Sequence, residues 1–203
     1  CIENNNKFAR SSDFKKYKFT SGSVNADHSL IAAGNDDNTI YLWDFVSGNR
    51  LSGLEGSSPV SALFFHPQMK NILVSCDAGR DIYIWDIEEM KILKKLSSTT
   101  FPITAIAVNQ AENIISVAGT DNLIKIFNLK DNVDLRSIKE NKANICGLGF
   151  PPSDNGIISI CLDNRIKFWN LDANKLDVSL KGNANPAMFN AVLHLPLLSV
   201  FAN

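Results

Sequence analysis

The sequence predicts an all-β protein built from repeated four-stranded units. A short apolar strand that ends in an aromatic residue followed by Asp or Asn recurs every 42 residues, with the aromatic residue at positions 43, 85, 127 and 169. The segments between the copies lack the long helical period that βαβ units would show. The four copies end at Trp43-Asp44, Trp85-Asp86, Phe127-Asn128 and Trp169-Asn170. A constant spacing of this kind is typical of stacked repeats.

The chain is expected to divide into a lead-in and five units. Residues 1–16 contain three consecutive asparagines and show no period of 2 or 3.6, so we expect a flexible segment there. The units are predicted near residues 17–50, 51–96, 97–138, 139–180 and 181–203. The last unit stops at residue 203, where its second strand would turn into its third, so it has half of its expected strands.

The second unit shows the order of strands and turns most clearly. We predict its strands A to D at residues 60–65, 71–76, 81–86 and 91–96. Strand A must end at His66-Pro67, because proline fixes φ and has no backbone N–H. Strands B and C are nearly all apolar, as expected of inner strands covered on both faces, whereas strand D alternates with lysines, as expected of an outer edge.

Composition and charge argue against several classes of function. Apolar residues make up 45% of the chain and charged residues 20%, the balance of an ordinary globular protein. The net charge of −1 provides no broad field for nucleic acid or an anionic membrane. The four cysteines form no Cys-x-x-Cys pair and have no histidines at ligand spacing, so we expect free, buried or half-buried thiols rather than zinc ligands or disulfides.

The sequence gives no signal for a membrane or for secretion. Its longest apolar stretch, 191–202, is interrupted by His194 and Pro196 and is shorter than the roughly 20 residues that a membrane helix needs. No Asn-x-Ser/Thr sequon is present, which favours the cytoplasm or the nucleus. We expect neither a membrane nor a nucleic acid as a partner.

No catalytic constellation is apparent in the sequence. Gly147-Leu148-Gly149 has the start of a dinucleotide-binding pattern, but it lies inside a predicted strand A and no helix follows it. His28, His66 and His194 are too dispersed for one metal or one catalytic triad, and we interpret each as a solvated histidine. The sequence therefore predicts no catalytic residue, no cofactor and no metal, and a protein that is not an enzyme.

Period, strand order and the Trp-Asp dipeptide together resemble the WD40 repeat family, from about residue 17 to residue 203. The resemblance implies β-propeller blades in which the aromatic residue of each copy packs between adjacent blades. It also implies an aspartate, six residues before the aromatic residue, that caps the turn between strands B and C. Asp37, Asp121 and Asp163 match this pattern, whereas the second unit has Gly79 there, so that Asp77 or Asp81 would have to substitute.

Two further consequences follow from the resemblance. The histidine that precedes strand A in the family is replaced by Gly56, Thr99 and Asn141, so we do not expect the Asp-His-Ser-Trp hydrogen-bond network and expect a lower stability per blade. The chain is predicted to be a partial propeller of four full blades and the first half of a fifth. Seven blades would need about 294 residues, which favours a fragment of a seven-bladed ring. A five-bladed ring that uses residues before Tyr17 remains open, and an arc would leave two apolar blade faces uncovered.

The resemblance implies a non-enzymatic scaffold for protein–protein interaction. In a propeller the B–C turns and the D–A loops share one rim, and recognition commonly resides in loops on a rigid framework. The candidate partner-binding residues on this rim are Asp36, Asp77, Arg80, Phe101, Asn122 and Asn144. Arg and exposed aromatic residues are enriched in interface hot spots, but for Phe101 a buried position under a neighbouring blade remains equally open.

Residues 109–187 resemble, more closely, a family member that is a proposed substrate receptor of cullin-4 ubiquitin ligases. Such receptors dock on the ligase adaptor through an Arg two residues after a Trp-Asp pair. The corresponding residues here are Val46, Glu88, Lys130 and Asp172. This departure argues against adaptor binding unless another blade supplies the Arg. The alternative function is that of an RNA-processing complex subunit built on the same propeller.

Overall fold

The computed structural model describes residues 18–97, 101–109, 114–128, 134–139, 143–151, 156–173 and 175–182. These residues form sixteen β-strands in four antiparallel sheets, each made of four strands that are consecutive in sequence. The described residues contain no helix. The predicted all-β fold is thus confirmed. The expected lead-in, residues 1–16, and residues 183–203 of the expected fifth unit lie outside the described residues.

The strands of each sheet follow the predicted order A to D, with the D strand at one edge. The first sheet consists of β1 (Phe19–Val24), β2 (Leu30–Asn35), β3 (Thr39–Asp44) and β4 (Arg50–Glu55). The second consists of β5 (Val60–Phe65), β6 (Ile72–Asp77), β7 (Asp81–Asp86) and β8 (Lys91–Ser97). The third consists of β9 (Ile103–Val108), β10 (Ile114–Gly119), β11 (Ile124–Asn128) and β12 (Asp134–Ile138). The fourth consists of β13 (Ile145–Gly149), β14 (Gly156–Cys161), β15 (Arg165–Asn170) and β16 (Lys175–Lys181).

The chain forms two compact units, Cys1–Lys95 and Leu96–Asn203, and the boundary falls within β8. In the first unit, one apolar cluster joins residues of the first sheet, such as Ile40 and Leu42, to residues of the second, such as Leu63 and Trp85. In the second unit, a comparable cluster joins Ile124 and Ile126 of the third sheet to Trp169 of the fourth. Within each unit, therefore, two sheets pack face to face.

Two of the aromatic residues that end the third strand share a buried hydrogen bond with a serine. The indole Nε1 of Trp85 donates to Ser75 Oγ at 2.8 Å, and that of Trp169 donates to Ser159 Oγ at 2.9 Å. Both indoles are nearly inaccessible to solvent, with 3% and 2% of their surface exposed. Removing an indole from water stabilises the fold by about 4–6 kcal/mol before the loss of entropy. The serine–tryptophan part of the family's network thus exists without the histidine.

The first and third sheets lack this serine–tryptophan pair. Phe127 is also buried, and the residue ten positions before it is Val117 rather than a serine, so an apolar pair replaces the polar one. Trp43 has Ala33 at the corresponding position and is only half-buried. This finding corrects the expectation that all four aromatic residues occupy equivalent interior places. Trp43 contacts Phe19 edge-to-face, with 5.8 Å between the ring centroids, on the face of the first sheet opposite Ile40 and Leu42.

The difference in burial predicts a difference in stability between two tryptophan variants. Trp85→Ala is expected to lower the free energy of unfolding by about 3–5 kcal/mol, because it leaves a cavity between two packed sheets. Trp43→Ala, the matched control, is expected to cost about half of that or less, because its indole is already partly exposed to solvent. Urea unfolding of both variants provides the comparison, and equal losses would contradict the packing described here.

Candidate functional site

The turns between the second and third strands have the same backbone geometry in all four sheets. They span residues 36–38, 78–80, 120–122 and 162–164. The last residue of each turn has a positive φ: 71° at Asn38, 74° at Arg80, 61° at Asn122 and 61° at Asn164. In three of the turns this residue donates its N–H to the carbonyl three residues earlier, as Arg80 does to Asp77 at 3.1 Å. The recurring geometry shows that these turns are tightly specified.

In each sheet, a backbone hydrogen bond ties this turn to the residue directly before the first strand. The donors are the first turn residues, and the pairs are Asp36 to Lys18 (3.3 Å), Ala78 to Pro59 (2.8 Å), Thr120 to Pro102 (3.2 Å) and Leu162 to Asn144 (2.8 Å). In two sheets the loop after the fourth strand is tied as well, because Gly56 donates to Asn38 at 2.8 Å and Gly182 donates to Asn164 at 2.7 Å. We call the turns and adjoining loops of each unit the turn rim of that unit.

The aspartates that the sequence places six residues before the aromatic residue accept backbone hydrogen bonds inside these turns. Asp37 accepts the Thr39 N–H at 3.0 Å, Asp121 that of Leu123 at 3.2 Å, and Asp163 that of Arg165 at 3.3 Å. Asp37 also accepts the hydroxyl of Tyr41 at 2.8 Å. Desolvation alone would raise the pKa of Asp37, but the hydrogen bonds from Tyr41 and Thr39 outweigh it and hold the pKa below its ordinary value.

In the second turn, Gly79 occupies the position of this aspartate, and another residue accepts the turn hydrogen bond. A Cβ atom at Gly79 would lie 2.9 Å from Ser58 Oγ and 3.1 Å from Asp77 Oδ1, so a side chain does not fit there without movement. Asp77 instead accepts the Asp81 N–H at 2.9 Å, while the Asp81 carboxylate pairs with Lys95 at 2.8 Å. Asp77 is only 2% exposed. The prediction that Asp77 faces a partner is therefore corrected: its side chain is buried inside the turn, where Oδ1 accepts the Asp81 N–H.

The Asp or Asn after the aromatic residue caps the next turn along the chain in the first, second and fourth repeats. Asp44 accepts the Ser47 N–H at 2.7 Å and the Ser47 hydroxyl at 2.6 Å, and these bonds lower the pKa of its carboxyl group. Asp86 accepts the N–H groups of Glu88 and Glu89 at 3.0 and 3.1 Å. Asn170 accepts that of Ala173 at 2.8 Å, and Asn128 is half-buried at the end of β11. The dipeptide thus fixes one end of the third strand.

The remaining candidates for partner binding differ in exposure. Asp36, Arg80 and Asn144 are exposed, whereas Asn122 is half-buried. Phe101 is 47% exposed, which favours the interpretation as an exposed rim residue over a buried position under a neighbouring blade. Asp36, Arg80 and Asn122 lie in the turns themselves, whereas Phe101 and Asn144 lie in the segments just before β9 and β13.

Arg80 differs from its three counterparts in a way that bears on function. Asn, the residue of the other three turns, tolerates the left-handed region because its short polar side chain can bond to the nearby backbone. A long side chain such as that of Arg lacks this advantage, at a cost on the order of 1 kcal/mol. An exposed residue in an unfavourable conformation is a functional candidate, since such strain is concentrated at functional sites.

The sequence analysis missed a buried polar residue directly after the first strand. His66 was expected to be solvated, but it is 2% exposed, and its Nδ1 accepts the N–H groups of Gln68 and Met69 at 3.2 and 3.0 Å. Asn25 and Asn109 take the same place and accept N–H groups of Leu30 and Ile114 at 2.8 and 3.3 Å. The 42-residue period places Pro67 rather than His66 opposite Asn25 and Asn109, and the three residues correspond only when the units are aligned on their first strands. His28 is exposed, and His194 lies outside the described residues.

The thiols are held in unreactive surroundings. Cys76 and Cys161 are buried and Cys146 is half-buried, all as free thiols, whereas Cys1 lies outside the described residues. Desolvation raises the pKa of each of the three, and the adjacent charge of Asp77 raises that of Cys76 further. In the part of the chain that the structure covers, no three His, Cys, Asp or Glu side chains converge on a possible metal position. No helix within that part could span a membrane.

Comparison with known proteins identifies the repeats. The family profile described as "WD domain, G-beta repeat" matches residues 16–44, 48–86, 90–128 and 132–170, which together are more than half of the chain. Each matched segment ends on the aromatic residue and the Asp or Asn that follows it. A search of curated proteins finds no match.

The conformation of Arg80 predicts opposite effects for two exchanges of the same kind. Arg80→Asn is expected to raise the free energy of unfolding by about 0.5–1 kcal/mol, because Asn suits the positive φ better. Asn164→Arg, the matched control in the fourth turn, is expected to lower it by a similar amount. Urea unfolding measures both. If Arg80→Asn destabilises the chain, the side chain of Arg80 stabilises the fold and is not held there at a cost.

Proposed function

This chain belongs to the WD40 (WD domain, G-beta repeat) family, and from that premise we propose that the turn rims of its units are the surfaces through which it binds its partners. WD40 repeats indicate a protein-protein interaction scaffold, and the described strands are consistent with a partial β-propeller. The observation that carries the proposal is Arg80: an exposed cation held at φ 74° where the other three turns have Asn. The family is generally non-enzymatic, and we propose the same for this chain.

The way the rim is built supports this role. The backbone hydrogen bonds from Ala78 to Pro59 and from Leu162 to Asn144, both at 2.8 Å, hold neighbouring loops together before any partner arrives. A surface that is already ordered loses little conformational entropy on binding, so more of the contact energy appears as affinity. Arg80 and Phe101 present the residue types that most often dominate such interfaces.

As a more specific role, we propose a substrate receptor of a cullin-4 type ubiquitin ligase. The support is the resemblance of residues 109–187 to WD repeat-containing protein 53. The docking box of such receptors is altered here, because Glu88 is exposed where the adaptor expects an Arg, and a carboxylate cannot replace a bidentate donor. Val46 and Asp172, the corresponding residues in the first and fourth repeats, are exposed as well. Binding of the adaptor must then be weak at this box, and an Arg at position 88 should strengthen it.

Affinity capture with the full chain as bait tests both levels of the proposal. We expect Arg80→Ala to reduce the recovery of partner proteins about tenfold or more, as truncation of a hot-spot residue does. Lys70→Ala, an exposed cation before β6 and outside the rim, serves as the matched control and should recover the parent's partners. Mass spectrometry identifies and quantifies the proteins.

The outcomes separate the two levels. If Arg80→Ala recovers the same proteins in the same amounts as the parent, the rim is not the binding surface. If the ligase adaptor is absent with the parent and also with Glu88→Arg, the receptor role is wrong, while the scaffold role stands. If the bait recovers RNA in a strongly salt-dependent manner and no specific protein, the RNA-processing alternative replaces both.

A further inference from the structure

The loop between the first and second sheets contains a serine directly before a proline. Ser58-Pro59 is the only Ser-Pro or Thr-Pro dipeptide in the sequence. The loop joins the end of β4 to the start of β5, and the residues on either side of the half-buried Ser58, Ser57 and Pro59, are exposed. Proline favours an extended backbone at the residue before it. Since proline-directed protein kinases bind extended segments with proline directly after the serine, Ser58 has the sequence context of their substrates.

The hydroxyl group of Ser58 takes no part in holding the loop. The hydroxyl of its neighbour, Ser57, shares a hydrogen bond with that of Tyr83 at 2.5 Å. No described residue forms a hydrogen bond with the Ser58 hydroxyl. A group attached to Ser58 Oγ therefore breaks no existing bond of the loop, whereas one attached to Ser57 would break the bond to Tyr83.

Ser58 also lies against the turn between the second and third strands of the second sheet. A Cβ atom at Gly79 would lie 2.9 Å from Ser58 Oγ, and 3.1 and 3.4 Å from the two carboxylate oxygens of Asp77. The Ser58 hydroxyl and the Asp77 carboxylate thus border the same small space, which a glycine leaves unfilled. Asp77 is 2% exposed, and its Oδ1 holds the turn together by accepting the Asp81 N–H at 2.9 Å.

A phosphate group on Ser58 would bring like charges together in this space. Phosphoserine carries about 1.5 to 2 negative charges at pH 7. Salt screens its repulsion from Asp77 only weakly, because the Asp77 carboxylate is buried. The repulsion opposes the bond between Asp77 and the Asp81 N–H, and that bond fixes the turn in which Arg80 stands. Phosphorylation would therefore move Arg80 from the position in which the folded turn presents it.

We propose that Ser58 is a phosphorylation site at which a proline-directed kinase releases the Arg80 turn and so switches off binding at the turn rim of the first unit. In the reaction, Ser58 Oγ forms a bond to the γ-phosphorus of ATP, the bond from that phosphorus to ADP breaks, and the hydroxyl proton passes to a base of the kinase. The modification and the release of the turn do not depend on a binding partner. Only the loss of binding rests on the proposed function of the rim.

Incubation of the folded full chain with a proline-directed kinase and Mg-ATP tests the site itself. Mass spectrometry should find one phosphate group, on Ser58, and none on the Ser58→Ala variant. Ser57→Ala, the matched control one residue earlier, should accept phosphate on Ser58 as the parent does. A parent chain that stays unmodified overturns the proposal, and so does a Ser58→Ala variant that accepts as much phosphate as the parent.

Hydrogen exchange of single amides, measured by NMR, tests the release of the turn. Phosphorylation should speed exchange of the Asp81 amide about tenfold or more, because the repulsion weakens its bond to Asp77. The Leu123 amide, which Asp121 holds at 3.2 Å in the third sheet, should exchange as before. Asp77→Asn removes the charge and matches Asn35 at the end of β2, so phosphorylation should barely change the Asp81 rate in this variant. An unchanged rate in the phosphorylated parent, or an equal acceleration in Asp77→Asn, contradicts the proposal.

Affinity capture with the phosphorylated chain as bait distinguishes this proposal from the proposed function. Recovery of partner proteins should fall about tenfold, as it should with Arg80→Ala. If the turn is released and the recovery is unchanged, the rim of the first unit does not bind the partners, and the proposed function fails while the modification stands. If Arg80→Ala lowers the recovery and phosphorylation does not, the switch is wrong while the proposed function stands.

Discussion

The packing of the second sheet depends on the buried indole of Trp85. It is buried between two sheets, and its one polar group is satisfied by Ser75 of the neighbouring strand at 2.8 Å. A buried N–H without an acceptor would remove much of what the burial of the ring contributes, so the aromatic residue and its neighbour ten positions earlier must match. Trp169 with Ser159 and Phe127 with Val117 satisfy this requirement in two chemically different ways.

Strand β7, which carries Trp85, connects this packing to the turn rim. Its indole is fixed in the core, the Asp at its end caps the following turn, and its beginning carries the turn in which Arg80 stands. Because β7 is held in place by its buried indole, the turn that precedes it is held in place as well. A side chain in that turn, such as Arg80, is therefore attached to a rigid backbone. This coupling lets one repeated scaffold present different residues at equivalent places without a loss of order.

The sequence was sufficient for the features that depend on local pattern. Strand A of the second unit, β5, spans Val60–Phe65 as predicted, because the apolar run ends at a proline that cannot continue the strand. The sequence was insufficient for features that depend on the three-dimensional surroundings of a residue. The partial exposure of Trp43 depends on which face another sheet covers, and the burial of His66 depends on the hydrogen bonds that its imidazole accepts. The positive φ of Arg80 contradicts the preference of the residue itself, so only the repeat position could have indicated it.

A double-mutant cycle on Trp85 and Ser75 tests the central requirement most directly. Trp85→Phe alone leaves the Ser75 hydroxyl without its partner, and Ser75→Val alone leaves the indole N–H without one; each should destabilise the chain by about 1–3 kcal/mol. The combined variant, which recreates the natural pair Phe127 and Val117, should be more stable than the sum of the two losses implies, by about 1 kcal/mol or more. Losses that simply add would show that the two side chains contribute independently and would contradict this account.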